Sequence, residues 1–139
     1  MTTYVVDASV AMKWFVPEEF SQEALTYLSD EHELLTPDLL WSEFANIAWK
    51  KVRRNELSAE EARHVLSLCH QVPFEIVESI TLIDSAFDIA VSLDRTVYDS
   101  VYLALAVLRN CVMITADRRL YNALETSPTS QHIAHVGDV

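Results

Sequence analysis

The chain has 139 residues, half of them hydrophobic and 22% of them charged, and its formal net charge is −11. This length and composition are typical of a single globular domain over residues 1–139. The chain has neither an export signal nor an apolar run near the roughly 20 residues of a membrane span, so we expect a cytoplasmic protein with no membrane contact. The single glycine, Gly137, excludes the glycine-rich loops that bind dinucleotides and the P-loop of nucleotide hydrolases.

The first part of the chain alternates short apolar runs with helical periods. Thr3–Val6 predicts a buried strand that ends at Asp7. Ser21 can cap a helix whose apolar residues, at positions 24, 25 and 28, share one face. A second strand, Leu34–Thr36, leads into a long helix that begins at Pro37-Asp38 and runs to about residue 54.

The middle of the chain predicts two more helices around a third strand. Asn55 is a turn residue that tolerates left-handed geometry. Ser58 and Glu61 have the spacing of a capping box, and apolar residues follow at positions 62, 65, 66 and 69. Phe74–Val77 predicts a strand, and the apolar period from Leu82 to Leu93 predicts a helix.

The last part predicts the helix Tyr98–Leu108, the strand Val112–Ile114, the short helix Arg118–Leu124 and an edge strand at Ile133–Val136. Strands that alternate with helices need crossover connections. The sequence therefore predicts a mostly parallel sheet with helices on both faces.

Two aspartates follow strands of this sheet. Asp7 ends the first strand, and Asp117 follows the fourth in the run Thr115-Ala116-Asp117. Open α/β sheets bind ligands at the carboxyl ends of their strands, which favours a ligand role for both. Thr115 could orient such a ligand. Each aspartate could instead only cap the helix that begins beside it.

Two further carboxylates lie on predicted helix faces that point to the core. Glu43 lies within the apolar stripe of Leu40, Phe44 and Ile47, where an unpaired carboxylate is costly. Asp99 lies in the first turn of its helix, on the face of the apolar positions 102, 103 and 106. Two alternatives remain. Glu43 could lie at the edge of the stripe, where it reaches water or pairs with an Arg, and Asp99 could only be stabilised by the helix dipole.

If the strands that end at Asp7 and Asp117 are neighbours, all four carboxylates can share one pocket. Their mutual repulsion would then be relieved by a hard divalent cation such as Mg²⁺, for which Mn²⁺ is a plausible substitute. An acidic cluster of this kind favours metal-assisted hydrolysis of a phosphodiester.

Four segments of the chain resemble the VapC-type toxins of the PIN-domain family. They are Asp7–Glu19 (DASVAMKWFVPEE), Pro37–Asn46 (PDLLWSEFAN), Tyr98–Ala106 (YDSVYLALA) and Thr115–Leu120 (TADRRL), and they occur in the family's order. The resemblance spans nearly the whole chain. It implies a three-layer α/β/α sandwich with a short parallel sheet of four or five strands. It also implies an Mg²⁺- or Mn²⁺-dependent endoribonuclease.

The resemblance also implies roles for particular residues. Asp7, Glu43, Asp99 and Asp117 fall on the family's acidic positions, as metal ligands and catalytic groups, and its usual hydroxyl positions hold Ser9 and Thr115. It implies a homodimer, an RNA substrate and a cognate antitoxin protein that blocks the site. Asn55 and Ser100 depart mildly from the pattern and affect only a turn and a packing detail.

A net charge of −11 is unusual for a protein that binds nucleic acid, so the few cations matter. We interpret Lys13, Arg118, Lys50 and Arg53 as candidate RNA contacts. A solvated helix end for residues 50–54 and a plain surface site for Lys13 remain open.

Two other functions remain open on sequence grounds. One is another Mg²⁺-dependent phosphate-handling enzyme. Receiver domains, however, need a paired Asp and a late Lys, and haloacid-type phosphatases need Asp-x-Asp where this chain has Ser9. The other is a non-catalytic RNA- or protein-binding scaffold that has kept the acidic pocket.

Overall fold

The computed structural model describes residues 1–138, and a parallel five-stranded sheet lies at its centre. The strand order is β3-β2-β1-β4-β5, and every neighbouring pair is parallel. The strands are β1 (Thr2–Val6), β2 (His32–Pro37), β3 (Glu75–Val77), β4 (Val112–Thr115) and β5 (Ile133–His135). The predicted parallel sheet is confirmed, with Ile133–His135 at its edge.

Seven α-helices connect and cover these strands in the described part of the chain. They are α1 (Ala8–Met12), α2 (Ser21–Leu25), α3 (Leu39–Arg53), α4 (Ala59–Cys69), α5 (Ile83–Leu93), α6 (Val97–Leu108) and α7 (Arg118–Leu124). None of the described helices is both long enough and apolar enough to cross a membrane.

The sheet separates two hydrophobic cores, because successive side chains of a strand point to opposite faces. Val6 of β1 packs in the core that includes Phe44 of α3. Its neighbour Val5 packs in the other core, with Ala86 of α5 and Leu105 of α6. The three-layer α/β/α sandwich is therefore confirmed.

The strand order reverses at β1, and this reversal decides where a site can form. After β1 the chain adds β2 and β3 on one side, and it then returns to add β4 and β5 on the other. Because β1 and β4 are paired through Val6 and Ile114, the residues that follow them lie side by side. This is the switch point at which open α/β sheets bind ligands.

The prediction for α2 was partly wrong. The helix begins at Ser21, but its N-cap is Phe20, which has a left-handed φ of 66° and makes no capping bond. Leu25 and Leu28 are exposed, so the predicted apolar face buries only Ala24. A five-residue helix at the rim of the fold has too few turns to present a continuous face to the core.

The predicted turn and capping box around α4 are confirmed. Asn55 has φ 61°, in the left-handed region. Ser58 accepts a hydrogen bond from the backbone N–H of Glu61, whose side chain accepts one from the backbone N–H of Ser58. Cys69 and Cys111 are both free thiols.

Candidate functional site

One small cavity at the carboxyl edge of the sheet is lined by all four carboxylates singled out in the sequence. Its volume is about 130 Å³, and its walls are formed by Asp7, Ala8, Ser9, Glu43, Asp99, Tyr102, Asp117 and Leu120. The fold thus brings together acidic groups that lie far apart along the chain. We call this cavity the acidic pocket. The roles of the four groups as metal ligands and catalytic residues stay a prediction.

Asp7 and Asp117 are placed by the two central strands, and both also cap helices. Asp7 follows β1 and accepts a hydrogen bond from the backbone N–H of Val10 at 3.1 Å. Asp117 follows β4, and its Oδ1 accepts from the backbone N–H groups of Arg119 and Leu120. Capping and a pocket role are therefore compatible, because each cap leaves the carboxyl group at the pocket wall.

Two hydroxyl groups hold the Asp7 carboxylate from opposite sides. Ser9 donates to its Oδ1 and Thr115 donates to its Oδ2, each at 2.6 Å. Each hydroxyl also accepts a backbone N–H at 3.1 Å, from Ala116 for Ser9 and from Asp117 for Thr115. These hydrogen bonds fix the directions in which the two hydroxyl groups donate, and they connect Asp7 to the loop that carries Asp117.

Glu43 and Asp99 enter the pocket from helices on opposite faces of the sheet. Glu43 lies on α3 and is half-buried. Asp99 lies in the first turn of α6, where its backbone N–H donates to the capping hydroxyl of Thr96.

Tyr102 is the pocket residue that the sequence reasoning treated only as core. It is 2% exposed, and among residues 1–138 its buried hydroxyl has no partner in hydrogen-bond geometry. The hydroxyl nevertheless lies close enough to the Glu43 carboxyl for each group to affect the other's pKa. Its position three residues after Asp99, on the same helix face, is the signal that could have identified it.

The electrostatics of the pocket disfavour ionised carboxylates. Burial is the largest cause that raises the pKa values of Asp7, Glu43 and Asp99 above their usual range. Repulsion adds to this effect, since Asp99 raises the pKa of Asp7, and Asp117 raises that of Asp99. Among the described residues no Lys or Arg lines the pocket. Arg95, which is not part of the lining, partly offsets the charge by lowering the pKa of Asp99.

The chemistry of this pocket fits a hard divalent cation. Its donors are carboxylate and hydroxyl oxygens, which Mg²⁺ and Mn²⁺ prefer, and the unpartnered Tyr102 hydroxyl offers one more polar group. Within residues 1–138, however, no three His, Cys, Asp or Glu side chains are arranged to hold a metal ion. The four carboxylates thus share the pocket without forming a preassembled coordination sphere.

Two of the four cations proposed to contact RNA are already held in ion pairs. Lys13 lies 3.2 Å from Glu18 and also donates to the backbone carbonyl of Glu19. Arg118 lies 3.1 Å from Asp138. These pairs reduce the positive charge that either side chain can offer to a phosphate.

The other two cations lie on α3. The Arg53 guanidinium lies over the Trp49 ring, 5.5 Å from its centroid. Lys50 lines a cavity of about 420 Å³ that adjoins the acidic pocket, and Glu43 contributes to the walls of both. Lys50 is therefore the candidate cation that the structure places beside the four carboxylates.

Comparison with known proteins gives consistent results. A family model described as PIN domain matches residues 4–124. The ribonuclease VapC3 of Pyrobaculum aerophilum is 36% identical over 118 residues, which cover 84% of this chain and 90% of the relative.

Solved structures share the fold. A crystal structure of a Pyrobaculum aerophilum protein superposes with a TM-score of 0.72 at 23% identity, and the match covers 99% of this chain and 91% of that one. A toxin–antitoxin complex from Klebsiella pneumoniae matches with a TM-score of 0.62 at 16% identity, over 96% of this chain and 97% of that one. At these identities the likeness concerns the fold alone.

Proposed function

This chain belongs to the PIN-domain family, and on that premise we propose that it is a divalent-metal-dependent endoribonuclease, the toxin of a toxin–antitoxin pair, that hydrolyses RNA phosphodiester bonds. The name of its relative at 36% identity, a ribonuclease, supports this activity. The single observation that carries the proposal is the convergence of four carboxylates on one cavity at the switch point of the sheet.

In this proposal Asp7, Glu43, Asp99 and Asp117 hold Mg²⁺ or Mn²⁺. The bound ion would lower the pKa of an attacking water and neutralise charge at the phosphorus. The hydroxyls of Ser9 and Thr115 keep the Asp7 carboxylate facing the pocket. The pocket measures about 130 Å³, which is room for a phosphate group.

A cleavage assay tests this function directly. The purified chain is incubated with labelled RNA in Mg²⁺, in Mn²⁺ and in EDTA, beside the variants Asp7→Asn and Asp99→Asn. We expect cleavage only with a divalent ion, and a loss of at least about a hundredfold in either variant, since each removes a charge that binds the ion. The matched control is Asp30→Asn, which changes an exposed carboxylate far from the pocket. Cleavage that persists in EDTA or in both pocket variants would contradict the mechanism.

Metal binding is tested separately from activity by calorimetric titration with Mn²⁺. We expect the wild-type chain and Asp30→Asn to bind the ion and Asp7→Asn to bind it much more weakly. Binding without cleavage would instead favour the non-catalytic scaffold. We also propose that the chain acts in the cytoplasm. Its cysteines, Cys69 and Cys111, are free thiols, as is usual in a reducing compartment.

The toxin role includes a cognate antitoxin protein that binds the chain and blocks the pocket. The support is the fold shared with a toxin–antitoxin complex. The test is to co-express the chain with the product of a short neighbouring open reading frame. A stable complex that no longer cleaves RNA supports the role, and full activity in the presence of a tightly bound product contradicts it.

A homodimer is the other expected assembly, and one exposed apolar stripe supports it. Ile80, Ile83, Phe87 and Val91 follow one another at helical spacing before and along α5, and Phe87 is 58% exposed. Large apolar side chains in a contiguous row are typical of protein contacts. Sedimentation should show a dimer that Phe87→Glu converts to a monomer, whereas Ser85→Glu, an exposed site off the stripe, leaves it intact. A dimer that survives Phe87→Glu would exclude this stripe as the interface.

A further inference from the structure

The cavity beside the acidic pocket has a composition different from that of the pocket itself. Leu39 and Ile47 of α3 form apolar parts of its wall, and Asn46 and Lys50 line it with polar groups. Tyr98, at the start of α6, completes it from the opposite side. We call this cavity the side cleft.

The side cleft adjoins the acidic pocket. Glu43 contributes to the walls of both cavities, and Tyr98 is adjacent in sequence to Asp99 of the pocket. The volumes differ about threefold, 420 Å³ against 130 Å³. The side cleft is in the range of roughly 300–1,000 Å³ that small-molecule sites occupy. A substrate group that extends beyond the pocket therefore has space next to it.

The polar groups of the side cleft are available to a ligand. Tyr98 is 62% exposed, although the residues from Ser100 to Ala106 of the same helix are buried. In the described chain, Lys50 has no ion-pair partner, in contrast to Lys13, Lys51, Arg109 and Arg118. Asn46 is exposed on the same face of α3, one helical turn before Lys50. The cleft thus presents an aromatic ring, an amide and a cation to the same space.

We propose that the side cleft binds one unpaired nucleotide next to the scissile phosphate, with its base stacked on Tyr98 and its edge read by Asn46. Lys50 then contacts the neighbouring phosphate. Aromatic rings bind every base through its π face, and amides hydrogen-bond base edges in single-stranded RNA. This inference rests on the proposed function and deepens it, because it makes the substrate single-stranded at the cut and gives it a preferred base.

The acidity of the chain favours contacts of this kind. A net charge of −11 repels a polyanion, so affinity cannot depend on many phosphate contacts. Stacking and amide hydrogen bonds need no net positive charge. They also require the base to be splayed out of a helix, which excludes a continuous duplex as substrate.

The test measures the binding of fluorescently labelled single-stranded RNA hexamers by anisotropy in EDTA, where no metal-dependent cleavage occurs. Tyr98→Ala should weaken binding about tenfold or more, while Tyr98→Phe, which keeps the ring, stays close to wild type. Lys50→Gln should reduce the slope of log affinity against log salt by about 0.7, and the exposed Arg54→Gln should not. Because Tyr98 is largely exposed, these variants should fold normally, which circular dichroism checks.

A second readout is the base at the cleavage site, mapped by sequencing the products in Mg²⁺. Asn46→Ala should change the preferred base, and Asn122→Ala, an exposed site on α7, should not. Three results would refute the proposal that the side cleft binds a nucleotide. The first is that Tyr98→Ala retains wild-type affinity, and the second is that the wild type binds no hexamer. The third is that Tyr98→Ala changes the oligomeric state instead of the RNA affinity. A wild type that cleaves RNA while its cleft variants keep their affinity and cutting pattern refutes the cleft and leaves the proposed function standing. A wild type that binds hexamers through Tyr98 yet never cleaves RNA supports the side cleft and refutes the proposed function.

Discussion

At the scale of single residues, the orientation of the Asp7 carboxylate depends on two hydroxyl groups. A second hydrogen bond to the backbone holds each of these hydroxyl groups in place. Thr115 is fully buried, and it donates to Asp7 while it accepts the backbone N–H of Asp117. Removing that hydroxyl leaves a buried acceptor and a backbone donor without partners.

Thr115→Val should therefore lower the free energy of unfolding by about 1–3 kcal/mol and reduce RNA cleavage. Thr115→Ser keeps the hydroxyl and loses one methyl group, so it should lose stability through a small cavity yet keep most of its activity. Urea denaturation and the cleavage assay measure the two effects. Equal activity in the Val and Ser variants would show that the hydroxyl does not orient Asp7.

The Glu43 carboxyl has a raised pKa, and this makes the stability of the metal-free chain depend on pH. Burial is the main cause, with added repulsion from Asp7 and Asp99. A carboxyl whose pKa is higher in the folded state than in the unfolded state keeps its proton more strongly when folded. Stability contributed by this group is therefore present below the unfolded pKa and is lost as pH rises through the folded pKa.

Glu43→Gln, which cannot ionise, should be more stable than the wild type at pH 8 in EDTA, by on the order of a few degrees in Tm. The difference should shrink as the pH approaches 4. The exposed Glu56→Gln is the matched control and should show no such trend. A Tm difference that does not change between pH 4 and pH 8 would contradict burial as the source of the shift.

At the scale of elements, the start of α4 is defined by local chemistry alone. Ser58 caps the helix through the backbone N–H of Glu61. Ser58→Ala should lower the free energy of unfolding by about 1 kcal/mol. Ser67→Ala, at an exposed position inside the same helix, should change stability little or raise it slightly, because Ala is the better helix former. Thermal denaturation of the two variants compares them; equal Tm values would mean that the cap contributes nothing.

The same locality explains which elements the sequence could predict. The short helix Arg118–Leu124 and the capping box at Ser58 were predicted from neighbouring residues, and both are confirmed. The helix after Ser21 was harder, because its burial depends on where a five-residue helix meets the rest of the fold. Only the packed structure shows that Leu25 is exposed and that Phe20 takes a left-handed backbone.

Part of the candidate site could also be predicted from the sequence, and part of it could not. Positions 7 and 117 follow apolar strands, so the strand pattern alone is enough to place them at one sheet edge. Tyr102 could not be separated from core residues of α6, because its periodicity is the same as theirs. The side cleft could not be inferred either, since it depends on how α3 and the start of α6 lie relative to each other.

At the scale of the whole molecule, the excess of acidic groups constrains how RNA can be bound. Lys13 and Arg118 are paired with carboxylates, so few cations remain for phosphates. We expect the affinity for single-stranded RNA to fall only gently with salt, with a slope of log affinity against log salt shallower than about −3. This corresponds to fewer than about four or five phosphate contacts. Anisotropy titrations between about 50 and 200 mM KCl would measure the slope. A much steeper slope would mean that a basic surface has been overlooked.

The pairing of β1 with β4 also bears on when a newly synthesised chain can assemble its acidic pocket. The two strands lie side by side, yet β1 begins at Thr2 and β4 begins only at Val112. A nascent chain that stops before residue 112 has neither the strand that closes the sheet beside Asp7 nor the Asp117 carboxylate. Under the proposed function, a copy that stops before β4 should therefore not cleave RNA, because its acidic pocket is incomplete.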